Sequence, residues 1–147
     1  MILREGARVD VMVDALSIAV SGLMAQRQRL GVAASNIANV STTGRIPTAD
    51  NPSSTVYRPL EVSYAAMTVN GRPAGVSTQV NEVHDPYSVA YDPSSSYANS
   101  DGLVAAPNVD LVTESVNMLM AKNLFKANLS VIKTEKEMLG ELLDTLT

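Results

Sequence analysis

The sequence predicts a mainly α protein with a small β element: long N- and C-terminal helices packed as a coiled-coil-like pair, with a short β-hairpin and loop region between them. Three observations predict it. Near the front, Leu16, Leu23, Leu30 and Ile37 recur every seven positions, with Val20 and Ala34 between them. Near the back, Leu111, Met118, Phe125, Ile132, Leu139 and Leu146 keep the same period, helped by Leu129 and Leu143. An apolar stripe with period 3.5 keeps one seam of a helix turned toward a partner. All seven prolines fall between Pro47 and Pro107, so neither repeat contains a residue that would break a helix.

The first helix is expected to start near Asp14, whose carboxylate can accept backbone N–H bonds and favours the positive end of the helix dipole. Residues 1–13 read as a flexible leader, or as an artefact of the assigned start if Met12 is the true first residue. The helix and its exit motif fill residues 14–44: the helix ends near Asn39, and Gly44 is the residue best suited to a left-handed exit.

Residues 45–107 form the small β-hairpin and loop region. Residues 55–69 and 75–83 are rich in Val, Tyr and Thr and read as strands. Asn70-Gly71 between them is the dipeptide that best tolerates the positive φ angles of a type I′ turn. Pro59 and Pro73 argue against a central place in a large sheet. Residues 92–102, with three consecutive serines, read as a loop.

Residues 108–147 hold the second helix, which Asn108 or Asp110 can cap. From Leu111 to Leu146 it spans roughly 54 Å, against roughly 36 Å for the front repeat. It also carries a second apolar row, Val116, Met120, Leu124, Val131, Met138 and Leu142. A helix that is apolar on two sides needs cover on two sides. One front helix covers one seam, and the other calls for a neighbouring subunit.

Composition narrows the function. One Phe, no Trp and five Tyr leave a thin aliphatic core. The absence of Cys excludes disulfides and thiolate chemistry. No apolar run of about 18 residues is present, so no membrane insertion is expected. Asp10 and Asp14 interrupt the early apolar stretch, which argues against a cleaved signal peptide. The net charge of −4 is unevenly spread. No acid lies between Asp14 and Asp50, and no Lys or Arg between Arg72 and Lys122. Three arginines in the basic stretch fall short of a nucleic-acid face. The opposed blocks either select a protein partner or are two solvated surfaces.

Catalytic and metal sets are not found. His84-Asp85 has no second His or Cys to complete a zinc site. Ser94-Ser95-Ser96 lacks a nucleophile elbow, and Gly71 and Gly75 lack the Lys-Ser/Thr of a phosphate loop. Glu135, Glu137 and Glu141 alternate with Lys133 and Lys136, as on a solvated helix face. The expectation is a protein with no catalytic residues, metal or cofactor. One polar motif stands out: Asn36 and Asn39 lie three residues apart in Ala34-Ser35-Asn36-Ile37-Ala38-Asn39. Asn39 can terminate the helix, whereas Asn36 sits inside the seam. A polar group there can set the register of a helical assembly, with a bond across a subunit boundary.

Residues 34–44, Ala-Ser-Asn-Ile-Ala-Asn-Val-Ser-Thr-Thr-Gly, resemble the N-terminal signature of the bacterial flagellar rod and hook proteins. Tyr91-Asp92-Pro93, the stretch from Ala98 to Val104 and Pro107-Asn108-Val109-Asp110 resemble its proximal rod members. Glu114, Met118, Ala121, Ala127-Asn128 and Lys136-x-Met138-Leu139 follow their C-terminal helix. Ser94-Ser95-Ser96, Ser115 and Asn123-Leu124-Phe125 depart from the pattern. The resemblance implies a structural subunit of the basal-body proximal rod that assembles helically, links the membrane ring to the distal rod and transmits torque. It further implies a periplasmic location reached through the flagellar type III export apparatus without a cleaved signal. The implied partners are copies of itself, other rod subunits and membrane-ring or rod-adaptor proteins. The residues expected to carry assembly are Leu16, Leu23, Leu30, Asn36, Ile37, Asn39, Leu111, Met118, Leu124, Phe125, Val131, Ile132, Met138 and Leu139. A distal-rod or hook subunit would share the front motif but carries a larger middle region. A generic coiled-coil adaptor would explain the heptads but not the Asn motif.

Overall fold

A computed structural model describes residues 2–48 and 55–146, with side chains from residue 14 to 145. The elements run α1 (Ile2–Asn39), β1 (Leu60–Val69), β2 (Arg72–Glu82), β3 (Tyr87–Tyr91), β4 (Leu103–Pro107) and α2 (Leu111–Leu146). Two long helices therefore frame two small antiparallel strand pairs, β1–β2 and β3–β4.

Helix α1 starts at Ile2, which corrects the expected start near Asp14. Its backbone is helical through residues 2–13, where no proline interrupts it. Asp14 is thus an interior residue, and its carboxylate lies 4.0 Å from the Arg72 guanidinium. The start-site reading of residues 1–11 rests on Met1, which lies outside the described residues.

The hairpin forms around the expected turn. Asn70 and Gly71 have φ of 52° and 74°, the pair of positive values that a two-residue type I′ connection requires. Strand β1 begins only at Leu60, after buried Pro59, and not at Thr55. Strand β2 begins earlier than expected, at Arg72, and includes Pro73. A two-stranded sheet has edges on both sides, so that proline is tolerated.

The second pair, β3–β4, was not expected. Tyr87 faces Pro107 and Tyr91 faces Leu103 in its register. The intervening loop is held by two side-chain-capped turns. Asp92 Oδ1 accepts from Ser94 N (3.2 Å) and Ser94 Oγ (2.6 Å). Asn99 Oδ1 accepts from Asp101 N and Leu103 N, both at 2.9 Å. Gly102, at φ 74°, completes the return beneath the Tyr91 ring.

Gly44 corrects another expectation. It does not adopt positive φ. It forms an isolated bridge with Ala105, with both N–H···O distances 2.9 Å. A Cβ there would run into the backbone nitrogen of Val56 and the carbonyl carbon of Thr55. Close approach of three backbone segments, and not a left-handed turn, is why this position holds glycine.

The chain divides into two compact units. Unit 1 comprises Met1–Leu30, Ser63–Gln79 and Leu119–Thr147; unit 2 comprises Gly31–Val62 and Val80–Met118. Among the described residues of unit 1, the buried hydrophobic ones are Ala19, Ala25 and Ala121. A Cβ on Gly22 would stand 2.8 Å from the Asn128 amide, so that close approach depends on the missing side chain. The hairpin is tied to α1 by Val76 N donating to Ser21 Oγ (3.1 Å) and Thr78 Oγ1 donating to Gln28 Oε1 (2.5 Å). In unit 2, Val56, Pro59, Val104 and Ala105 are buried around the strand pair and the Gly44 bridge.

The expected coiled-coil-like seam is not confirmed. None of the described heptad leucines is buried. Leu16, Leu30, Leu111, Phe125 and Leu139 are exposed, while Leu23, Ile37, Met118 and Ile132 are half-buried. Small residues occupy the interior because they allow close backbone approach, and the large side chains are left on the other faces. The side chain of Leu146 lies outside the described residues.

Candidate assembly surface and its polar anchor

In unit 2 the end of α1, the start of β1 and the start of α2 meet at Asn36. The side chain is only 1% exposed, and its amide is fully used. Nδ2 donates to Leu60 O at 2.8 Å and to Glu114 Oε1 at 2.6 Å. Oδ1 accepts from Leu60 N and from Tyr57 Oη, both at 2.9 Å. The network continues outward. Ser35 Oγ lies 2.9 Å from Tyr57 Oη, and Asn117 Nδ2 donates to Glu114 Oε2 at 3.2 Å.

This arrangement pins three segments that are distant in sequence. An amide with two donors and two lone pairs can satisfy both backbone groups of one residue, here Leu60, as a strand partner would. Of the remaining two bonds, one reaches Glu114 on α2 and the other Tyr57, just before β1. Burial in a low-dielectric interior makes each bond stronger and each loss costlier. Asn36 therefore sets register between segments of one chain. All four hydrogen-bonding positions of its amide are used within the chain.

Asn39, the other half of the motif, is half-buried; its Nδ2 donates back to Ser35 O at 2.9 Å. Its carbonyl accepts from Thr42 N (3.0 Å) and Thr42 Oγ1 (2.7 Å), which closes the helix. At the opposite junction the cap is Asp110, not Asn108. Asp110 Oδ1 accepts from Val112 N (3.0 Å) and Oδ2 from Thr113 Oγ1 (2.6 Å). The Thr113 hydroxyl and the Val112 N–H hold this exposed carboxyl below its ordinary range. Asn108 instead donates to Asp85 O at 3.2 Å and to Pro86 O at 3.1 Å.

Eight of the twelve apolar assembly candidates are exposed, while Leu23, Ile37, Met118 and Ile132 are half-buried. Leu16, Leu30, Leu111, Leu124, Phe125, Val131, Met138 and Leu139 are each between 36% and 48% exposed. The second row of α2 is uncovered along Val116, Met120, Leu124, Val131, Met138 and Leu142. Asn36 is the one candidate given a polar partner from another element, Glu114. Tyr57, Glu114 and Asn117 were not expected as its network. They lie 21, 78 and 81 positions away along the chain, so no local pattern announces them. Ser94 is engaged in its loop turn with Asp92, and His84 is exposed. Among the described residues no group of three or more metal-ligating side chains gathers, and no helix is long and apolar enough to cross a membrane.

Residues 16–44 match the family described as flagella basal body rod protein, and residues 100–145 match the C-terminal family of the flagellar basal body rod FlgEFG proteins. The chain is 37% identical over 139 residues to the flagellar basal-body rod protein FlgC of Salmonella typhimurium, covering 92% of this chain and 96% of that protein. It belongs to the FlgC family of flagellar basal-body rod proteins. The FlgC of Buchnera aphidicola is 33% identical over 134 residues, covering 90% and 96% of the two chains. That of Agrobacterium fabrum is 31% identical over 140 residues, covering 94% and 97%. The family is structural and not enzymatic, and its name puts its members in the basal body of the flagellum. The two matched regions contain much of α1 and α2, with Asn36 in the first and Glu114 in the second.

Proposed function

We propose that this chain is a structural subunit of the proximal rod, stacking helically with copies of itself and other rod subunits. It links the membrane ring to the distal rod and transmits torque. The observation that carries this reading is the inverted helix surface: Ala19, Ala25, Ala33 and Ala121 buried, with leucine, valine and methionine rows outside. Water contact with those rows costs roughly 25 cal/mol per Å², a cost that neighbouring helices would remove. The heptad period makes coiled-coil-like seams between subunits the natural way to cover them. On this reading the chain reaches the periplasm through the flagellar export apparatus without a cleaved signal, and its other partners are the membrane-ring or rod-adaptor proteins.

The test is complementation of a strain lacking the subunit by Leu124→Asp and Val131→Asp variants. A carboxylate on that row costs several kcal/mol once a neighbour covers it, yet nothing while it faces water. The expected outcome is normal synthesis with no rods and no swimming. Wild-type swimming by both variants would overturn the reading.

A further inference from the structure

The charges that divide along the sequence also divide between the two units. Unit 2 carries eight carboxylates against two cationic side chains, and unit 1 nine cations against seven carboxylates. Half of the acid in unit 2 has local work, Asp92 in its loop turn among it. Glu82 pairs with Arg58 at 2.7 Å, Asp110 caps α2 and Glu114 holds Asn36. The Asp101 carboxylate is exposed, with no hydrogen bond or ion pair among the described residues. It stands next to Gly102, directly under the Tyr91 ring, in a loop that also exposes Tyr97. Tyr91 is 73% exposed, and Val89 is exposed on the same face of β3. The loop is held by the turns at Asp92 and Asn99, so this aromatic and acidic surface is preformed.

Unit 1 offers a complementary surface. On α1, Leu16, Val20, Arg27 and Leu30 follow one another at helical spacing, all exposed. Arg27 is the single charge in this apolar stripe, and it has no carboxylate partner among the described residues. A cation among aliphatic side chains is complementary in charge to a carboxylate in a loop that exposes two tyrosines, and tyrosine faces add cation–π attraction for a guanidinium.

We infer that the Tyr91–Tyr97–Asp101 loop of one copy seats on the Leu16–Val20–Arg27–Leu30 stripe of the next copy. This rests on the rod reading and names one contact within it. Self-complementary docking would set acid on acid or base on base, which the charge division disfavours. A loop-to-stripe contact is instead heterologous, the class that propagates as an open helical stack.

The chain has no Cys, so engineered thiols report proximity without background. Met24→Cys places a thiol beside the stripe, and Ser100→Cys places one beside Asp101. The two full-length proteins, differing in mass tag, are mixed at the highest soluble concentration and oxidised. The mixed 24–100 disulfide should exceed both the 24–24 and 100–100 products. Arg27→Glu in the first protein should lower it about tenfold, the factor that 1.4 kcal/mol represents. Adding Asp101→Lys to the second should restore it. Dominant like-with-like products, no mixed product, or indifference to the charge swap would overturn the inference. If that happens while Val131→Asp still blocks rod formation, the rod reading stands and only this contact falls.

Discussion

Units 1 and 2 share the same two helices yet are held together by different means. Unit 1 buries alanines and leaves room for them with Gly22, while its large apolar side chains stay outside. Unit 2 buries Val56, Pro59, Val104 and Ala105, and it locks α1, β1 and α2 through the saturated amide of Asn36. Alanine burial contributes little per residue, because little area leaves water. The difference teaches that unit 2 is closed by larger buried side chains and a hydrogen-bonded amide, whereas unit 1 leaves its large apolar side chains in contact with water. Hydrogen exchange on the isolated subunit should therefore show slower amides near Asn36 and Ala105 than near Ala19 and Ala121. Uniform protection across both units would remove the distinction.

Substitutions can break the comparison outright. The largest effect is expected from Asn36→Ala, which leaves the Leu60 N–H and C=O, the Tyr57 hydroxyl and the Glu114 carboxylate without this partner. At about 1–3 kcal/mol per orphaned group, the loss should reach several kcal/mol in urea titration. A neutral result would show that unit 2 does not depend on this amide. Gly44→Ala comes next, at about 1–3 kcal/mol, since the new methyl meets backbone and cannot be turned aside.

Gly22→Ala should be milder, about 1 kcal/mol or less. The obstacle is the amide end of Asn128, a side chain able to rotate away, and Ala gains roughly 1 kcal/mol of helix propensity over Gly. A loss equal to that of Gly44→Ala would mean that unit 1 is packed as rigidly as unit 2. The smallest effect concerns Asp110. Its folded pKa is depressed, so its stabilising contribution is present above the ordinary carboxylate range and is lost as pH falls through the depressed value. The helix-unfolding midpoint of wild type should thus approach that of Asp110→Asn in acid and separate from it near neutrality. Equal separation at all pH values would remove the charge from the cap.

Much of the fold was legible from local pattern. Asn70-Gly71 specified its turn because Asn and Gly tolerate the two consecutive positive φ values that the turn requires. The uncovered second row of α2 was legible for the same kind of reason, because its spacing follows from helix geometry. Strands β3 and β4 were not, since each is five residues long and finds its partner across an eleven-residue loop rich in serine and aspartate. Asn36 was legible as an unusual residue inside a seam, but its partners were not. Leu60 lies 24 positions away and Glu114 78.

What the sequence by itself determined is periodicity and local conformation: where helices run after residue 14, where the hairpin turns, and which side chains share a face. These follow from backbone sterics and from spacing along one chain. Which face turns inward was decided only by the tertiary structure. A heptad of leucines marks a stripe but carries no sign for inside or outside, and the alanine face won the interior because backbones can approach there. The tertiary structure likewise decided that Gly44 serves close approach to Val56 and Ala105, and that the Asn36 amide is spent within the chain. Both depend on contacts between segments far apart in sequence, which no local preference encodes.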